Sequence, residues 1–120
     1  MRTFVIALGM LLVGLTGAQA SGCGTLSTQA AMNKCADKAY KSSDRRMNRV
    51  YRVAMKAQSG DHRQALRKAQ RSWVVFRNNA CKSYSNLGDA GSMRPLLFSD
   101  CLAQLTLERT KMLQLQTLKF

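Results

Sequence analysis

One stretch of the chain, residues 66–84, constrains the fold more than any other part of the sequence. Its apolar side chains recur at steps of three and four residues, the period of an α-helix with one buried face. Trp73, the only tryptophan of the chain, lies in this stretch. Because tryptophan is the largest apolar side chain that a helix can bury, we expect a small helical core to close around it. The predicted buried face comprises Leu66, Ala69, Trp73, Phe76, Ala80 and Tyr84.

The first twenty residues are typical of a secretory signal peptide. Arg2 precedes an uncharged run of apolar and small residues over 4–15, which is too short to span a bilayer comfortably. Ala18-Gln19-Ala20 follows it as a cleavage site of the A-x-A type. We therefore predict a signal peptide over 1–20, a mature domain over 21–120 and no membrane span in the mature protein.

The four cysteines indicate the cellular compartment of the protein and whether Cys23 forms a disulfide or carries a lipid. In an exported protein four cysteines make two disulfides, which favours a periplasmic or secreted protein. The alternative is a lipoprotein anchored at Cys23, because residues 20–23 resemble a lipobox, but lipidation leaves an odd number of thiols. A zinc site is a second alternative, although no two cysteines have C-x-x-C spacing. The predicted disulfide residues are Cys23, Cys35, Cys81 and Cys101.

The first two predicted helices meet at a short turn. Ser27 or Thr28 is the expected N-cap of the first helix, which runs to about residue 58. Ser59-Gly60-Asp61 ends it, with Gly60 in the left-handed C′ position. Asp61 with Gln64 resembles a capping box that opens the central helix, which runs to about residue 86.

A third helix completes the predicted domain. A turn over 88–92 precedes it, Ser92 is its expected cap, and Pro95 is tolerated in its first turn. Short connections make consecutive helices antiparallel neighbours. The sequence therefore predicts an all-α, antiparallel three-helix bundle that is stapled by disulfides. All four cysteines fall at one end of it, and matching heights favour Cys23–Cys81 with Cys35–Cys101, although the sequence alone permits three pairings.

The same hairpin geometry predicts a polar seam between the first two helices. An acid opposite an arginine, and an amide opposite an indole, indicate partly buried hydrogen bonds that fix the register of the helices. A binding site is the alternative interpretation. With the turn centred near Gly60, the facing pairs are Asp44 with Arg77, Asn48 with Trp73, and Tyr51 with Gln70.

Basic residues line the first helix on the side away from its apolar face. Without Arg2, 18 basic residues stand against 6 acidic ones, a formal charge of +12. This face either keeps the protein soluble or attracts an anionic polymer, a nucleic acid or an acidic protein. No aromatic residues are interleaved with it, which argues against recognition of single strands by stacking. Its members are Lys34, Lys38, Lys41, Arg45, Arg49, Arg52 and Lys56, and Arg63, Arg67 and Arg71 continue the spacing on the second helix.

The sequence contains no recognisable catalytic constellation. His62 is the only histidine, and the six carboxylates are scattered along the chain. A nucleophile elbow, a glycine-rich phosphate loop and a cluster of metal ligands are all lacking. We therefore predict a protein that is not an enzyme and that uses no cofactor, metal or small-molecule substrate.

Several motifs resemble those of the LprI-type lysozyme inhibitor family. Residues 28–36, TQAAMNKCA, resemble its TQ..MN.CA signature, and residues 44–51, DRRMNRVY, resemble its D..LN..Y segment. Residues 66–81, LRKAQRSWVVFRNNAC, are similar to its LR.AQR.W..FR...C core. Gly91-Ser92, Cys101-Leu102 and Thr106-x-x-Arg109 complete a resemblance that covers nearly the whole mature chain.

The resemblance implies a small secreted or envelope-held helical protein with paired cysteines and, for some relatives, inhibition of lysozyme. It supplies no map of inhibitory residues. We therefore expect an exported protein that blocks lysozyme or another wall hydrolase by contact. Like-charge repulsion opposes its approach to a basic lysozyme, although the acidic pair in the cleft attracts locally. The alternative is a cationic envelope adaptor or structural protein that binds anionic polymers through its first helix.

Overall fold

Three α-helices in an up-down-up arrangement form the protein. A computed structural model describes residues 22–118, and the predicted signal peptide lies outside them. The helices are α1 (Gln29–Ala57), α2 (Gly60–Ser85) and α3 (Arg94–Leu115), with short 3₁₀ turns at Cys23–Thr25 and Gly91–Met93. The predicted all-α fold is confirmed over the described residues. None of these helices combines the length and the apolar character needed to cross a bilayer.

Helix α1 begins at a side-chain cap. Thr28 has an extended backbone, and its Oγ1 accepts a hydrogen bond from the backbone N–H of Ala31 at 3.1 Å. This contact satisfies one of the N–H groups that the first turn of a helix leaves free. Of the two caps that the sequence allowed, Ser27 and Thr28, the structure therefore uses the second.

The corner between α1 and α2 is shorter than predicted. Gln58 and Ser59 are both extended, Ser59 is the N-cap of α2, and Gly60 is already helical by hydrogen bonding with a φ of +52°. The capping box predicted at Asp61 is therefore wrong, because Asp61 lies within the first turn of α2. A carboxylate there still interacts favourably with the positive end of the helix dipole.

Helix α2 is rotated relative to the buried face predicted from its apolar residues. Phe76 is 59% exposed, Tyr84 is 50% exposed and Ala69 is also exposed, so the assignment of these three residues to the core is wrong. The buried face instead comprises Leu66, Gln70, Arg77, Cys81 and Ser85. This orientation of α2 is possible because Gln70 and Arg77 form hydrogen bonds with side chains of the other helices, so neither polar group is buried without a partner.

The core is centred on α1 and α3 rather than on Trp73. Met47, Ala54, Leu66 and Leu113 form its main buried cluster, and Trp73 packs against the edge of that cluster while partly exposed. The expectation that the core closes around the indole is therefore only partly met. Small side chains on α1 explain the position of the core, since they allow a close approach of α3.

Helix α3 packs mainly against α1, less against α2, and α1 approaches α2 closely at few points. Ala36 packs near Leu96, and Ala54 packs near Leu113, so α1 and α3 run in the same direction. Both alanines are fully buried. Helix α2 is antiparallel to both, and its long side chains bridge the wider gap to α1.

Two disulfides link the cysteines in a pairing that differs from the one favoured by height. Cys23 bonds Cys35 with a Cα–Cα distance of 5.6 Å, and Cys81 bonds Cys101 with a distance of 5.5 Å. The favoured pairing, Cys23–Cys81 with Cys35–Cys101, is therefore wrong. The 3₁₀ turn that begins at Cys23 folds the entry segment back on α1, and the buried face of α2 presents Cys81 to α3.

Candidate functional site

A buried ion pair at Arg77 connects the three helices. Arg77 is 4% exposed, and its Nη1 lies 3.0 Å from Asp44 Oδ1 on α1 and 3.2 Å from Thr106 Oγ1 on α3. Its Nε donates to Asn78 Oδ1 at 3.1 Å. The structure thus brings together the acid and the arginine that the hairpin register placed level with each other.

Aromatic rings surround the same guanidinium. The Cζ atom of Arg77 lies 5.2 Å from the ring centre of Tyr40 and 5.2 Å from that of Trp73. Arg109 of α3 also contacts Trp73, with its Cζ at 5.8 Å. Each contact places a cation over the electron-rich face of a ring, and this attraction is stronger when the pair is shielded from water. Two arginines and two rings therefore form a continuous cation–aromatic stack inside the bundle.

The second arginine of the stack is held by Gln70. Arg109 Nε donates to Gln70 Oε1 at 3.0 Å, and the Gln70 amide makes a long contact of 3.7 Å to the sulfur of Met47. Arg109 Nη2 is buried without a hydrogen-bond partner among the described residues. Burial lowers the pKa of Arg109, because removal from water disfavours the charged form. Burial likewise raises the pKa of Tyr40, against the opposing charge of Arg77.

The remaining predicted seam residues lie around this stack. Asn48 donates to Asp44 Oδ2 at 3.2 Å, so it orients the carboxylate that Arg77 binds. Tyr51 and Gln70 line one groove between α1 and α2. Among residues 22–118 no hydrogen bond joins the predicted pairs Asn48–Trp73 or Tyr51–Gln70. The six residues are thus gathered in one region. Of the three predicted facing pairs, Asp44 with Arg77 forms a hydrogen bond among the described residues, whereas Gln70 bonds Arg109 of α3 instead of Tyr51.

Three residues of the stack and its ion pair had no predicted place in the seam: Tyr40, and Thr106 and Arg109, which had been named only as part of the family resemblance. Tyr40 lies one helical turn before Asp44 on the same side of α1, and Thr106 and Arg109 are one turn apart on α3. The turn-by-turn spacing was therefore visible, but only the position of α3 shows which partner each side chain meets. That the seam fixes the register of the helices stays a prediction.

The basic face of α1 is open to solvent along its whole length. All seven residues predicted for it are exposed, as are Arg63, Arg67 and Arg71 on α2. Asp37 pairs with Lys41 at 2.7 Å, an exposed contact within one helix. The groove between α1 and α2 has a volume of about 540 Å³, and Tyr51, Arg67, Arg71 and Val74 lie along it.

A second groove, of about 380 Å³, lies between the end of α2 and α3. Tyr84, Leu97 and Leu105 give it an apolar lining, and Asp100 lies at its side. Burial raises the pKa of the Asp100 carboxyl above its usual range. Within residues 22–118 no three His, Cys, Asp or Glu side chains are grouped so that they could hold a metal ion.

Comparison with known proteins identifies the family. The family model described as lysozyme inhibitor LprI matches residues 21–113, which include both disulfides and nearly all of α3. This chain belongs to the LprI lysozyme inhibitor family. An uncharacterized protein of Rhizobium meliloti (strain 1021) is 33% identical in an alignment that spans 127 positions and covers 92% of this chain and 91% of the relative. No solved structure matches the chain.

The motifs that resemble the LprI family divide into an interior and an exterior set. The cysteines form the disulfides, and Asp44, Trp73, Arg77, Thr106 and Arg109 form the ion pair and the cation–aromatic stack, so packing accounts for them. Arg67, Arg71 and Phe76 belong to the core motif of α2 but are exposed. Packing does not account for these three residues of the LprI chain.

Proposed function

We propose that this LprI-family protein is exported and inhibits a lysozyme-type wall hydrolase by protein–protein contact. The observation that carries the proposal is the family match across residues 21–113. Two disulfides support an oxidising compartment outside the cytoplasm. A signal peptide over 1–20, a mature domain over 21–120 and the absence of a catalytic role are parts of the same proposal.

The outer face of α2 is the surface that we assign to this contact. Val75 is 60% exposed beside Phe76, and the exposed Arg71 and Arg67 lie about one and two turns N-terminal to Val75. Exposed apolar side chains rimmed by charge are typical of interaction sites. Aromatic residues and arginines also carry a disproportionate share of the binding energy in protein interfaces.

Charge determines how such a surface meets a lysozyme. A strongly basic protein is repelled by a basic enzyme at long range, which slows association. The catalytic cleft of a lysozyme, however, carries two carboxylates. The guanidinium groups of Arg67 and Arg71 can donate paired hydrogen bonds to carboxylates of this kind, and such charge-assisted bonds are among the strongest that proteins make. Local attraction therefore offsets the long-range repulsion.

The test measures the clearing of a bacterial cell suspension by lysozyme in the presence of the purified, oxidised mature protein. We expect clearing to slow as the protein is added, and inhibition to disappear once both disulfides are reduced. Phe76→Ala and Arg71→Ala are each expected to weaken inhibition about 10-fold or more. Val53→Ala and Arg46→Ala are matched controls, because both residues are exposed on α1. These two are expected to stay within about 2-fold of the unmodified protein.

Two results would count against the proposal at different levels. Unchanged clearing at a large excess of folded protein would overturn the inhibitory function itself. Inhibition that is equally strong in all four variants would leave the function in place and overturn the assignment of the outer face of α2.

A further inference from the structure

The charge of the protein is concentrated in one part of the fold. Residues 34–71 carry 12 basic and 3 acidic side chains, a net charge of +9. Residues 72–118 carry 5 basic and 3 acidic side chains, a net charge of +2. Such an asymmetry creates a directional field, and it indicates a surface that concentrates anions. The field originates from α1 and the first half of α2.

The basic face of α1 forms a straight line of exposed cations. Its seven members are spaced by four, three, four, four, three and four residues, all within one uninterrupted helix. From Lys34 to Lys56 the line extends about 33 Å, with a charge about every 5.5 Å. A rigid helix therefore holds seven positive charges in a fixed linear array, although each charge repels its neighbours.

The acidic residues that could neutralise this line are already engaged or absent. Helix α1 contains two carboxylates, Asp37 and Asp44. Asp37 pairs with Lys41, and Asp44 pairs with the buried Arg77. Among the described residues the other six cations of the face form no ion pair. Burial of apolar surface does not explain the array either, because all seven side chains are exposed.

We propose that the basic face of α1 binds one strand of a linear phosphodiester polymer, which lies along the helix and is recognised by its backbone charge. Guanidinium and ammonium groups donate charge-assisted hydrogen bonds to phosphate oxygens, and binding releases the counterions of the polymer. Tyr40 and Tyr51, the two aromatic residues of α1, are half-buried, so the surface offers no platform for stacked rings. This binding goes beyond the inhibitory function and uses a different face of the protein.

The experiment measures binding of a fluorescent single-stranded oligonucleotide, (dT)20, to the full mature protein with both disulfides intact. This probe is chosen because the salt dependence of single-strand binding reports the number of phosphates contacted. Six to seven contacts predict a slope of about −4 to −5 for log K against log salt. An abasic strand of the same length is expected to bind within about 3-fold of (dT)20, since backbone charge alone is recognised.

A pair of triple variants with equal net charge isolates the surface. Arg45→Glu, Arg49→Glu and Arg52→Glu together reverse the centre of the basic face. Lys82→Glu, Arg94→Glu and Lys111→Glu together change the net charge equally at exposed positions on α2 and α3. We expect the first triple variant to lose at least about 100-fold in affinity at low salt and to have a slope no steeper than about −3. The control triple variant is expected to lose at most about 5-fold.

Several outcomes would overturn the proposal. The first is a failure of the unmodified protein to bind (dT)20 at low salt. The second is an equal loss of affinity in both triple variants, which would show that binding depends on net charge and not on the basic face of α1. Preferential binding to vesicles that contain anionic lipid, with no binding to either strand, would identify a membrane surface instead. The helical signal in the circular dichroism spectrum of each variant is compared with that of the unmodified protein, to establish whether the fold is retained. The turbidity assay of the proposed inhibition is a separate readout, and we expect the first triple variant to retain inhibition there.

Discussion

Arg77 is a charged side chain that the small core of this protein encloses. Its cost of burial is offset by one carboxylate, one hydroxyl group, one amide and two aromatic rings drawn from all three helices. Removing one partner of such a group is costly, because the remaining charge stays buried without compensation. Asp44, whose side chain is 32% exposed, is the partner that can be altered without a change of volume.

The first prediction concerns that carboxylate. Asp44→Asn keeps the shape of the side chain but removes the negative charge beside Arg77, so we expect the free energy of unfolding to fall by about 2 kcal/mol. Because Asp44 is partly exposed, the expected loss of stability is smaller than that for a fully buried ion pair. Asp37→Asn is the matched control, because its ion pair with Lys41 is exposed and we expect a loss of about 0.5 kcal/mol or less. Urea unfolding measures both variants, and equal losses would contradict the assigned role of Arg77.

Among the helices, the corner between α1 and α2 is held by the side chain of Arg63 and not only by the short connection itself. The Nε of Arg63 donates to the carbonyl oxygen of Met55 at 2.9 Å, and its Nη2 donates to that of Gln58 at 2.8 Å. The last carbonyl groups of a helix lack partners within the helix, and a cation near them also interacts favourably with the helix dipole. Arg63 of α2 therefore caps the end of α1.

The second prediction tests this cap. Arg63→Ala is expected to destabilise the protein by about 1 kcal/mol, because it frees the C-terminal carbonyl groups of α1. Arg67→Ala, one turn later on α2, removes an exposed arginine whose side chain forms no hydrogen bond with the other residues of 22–118. We expect that control to change stability by less than about 0.5 kcal/mol. Thermal unfolding followed by circular dichroism measures both, and a larger loss in the control would refute the capping role.

At the scale of the whole molecule, disulfides and helix packing share the task of holding a short chain together. A domain of about 100 residues buries a modest core, and several positions of that core are polar here. The Cys23–Cys35 bond fixes the entry segment on α1, and the Cys81–Cys101 bond fixes α2 to α3. Because α2 approaches α1 closely at few points, the second bond secures the helix that is otherwise the least packed.

The third prediction follows from this pairing. Peptide mapping without reduction is expected to recover Cys23 with Cys35 and Cys81 with Cys101, and trypsin can separate all four cysteines because Lys34, Arg77 and Lys82 lie between them. Recovery of Cys23 with Cys81 would contradict the structure. The double variant Cys81→Ser with Cys101→Ser is expected to lose about 3 kcal/mol of stability, because the unfolded chain gains conformational freedom. A loss near zero in calorimetry would show that helix packing alone holds α2.

The candidate site was predictable as far as it depends on local spacing. The alternation of three and four residues is a property of one helix, so it located α1, its basic face and the row that contains Asp44 and Asn48. The ion pair between Asp44 and Arg77 could also be expected, because a short turn constrains the register of the hairpin. Tyr40, Thr106 and Arg109 could not be assigned, because their partners lie on helices that the spacing does not position.

Helical period and motif order are local properties of a chain, so the three helices, the line of cations on α1 and the resemblance to the LprI family could all be predicted from the residues alone. The buried face of α2, the pairing of the cysteines and the position of the core could not, because all three depend on how the helices pack. The small side chains of Ala36 and Ala54 allow α3 to pack closely against α1, and α2 then packs with Arg77 and Cys81 facing the interior.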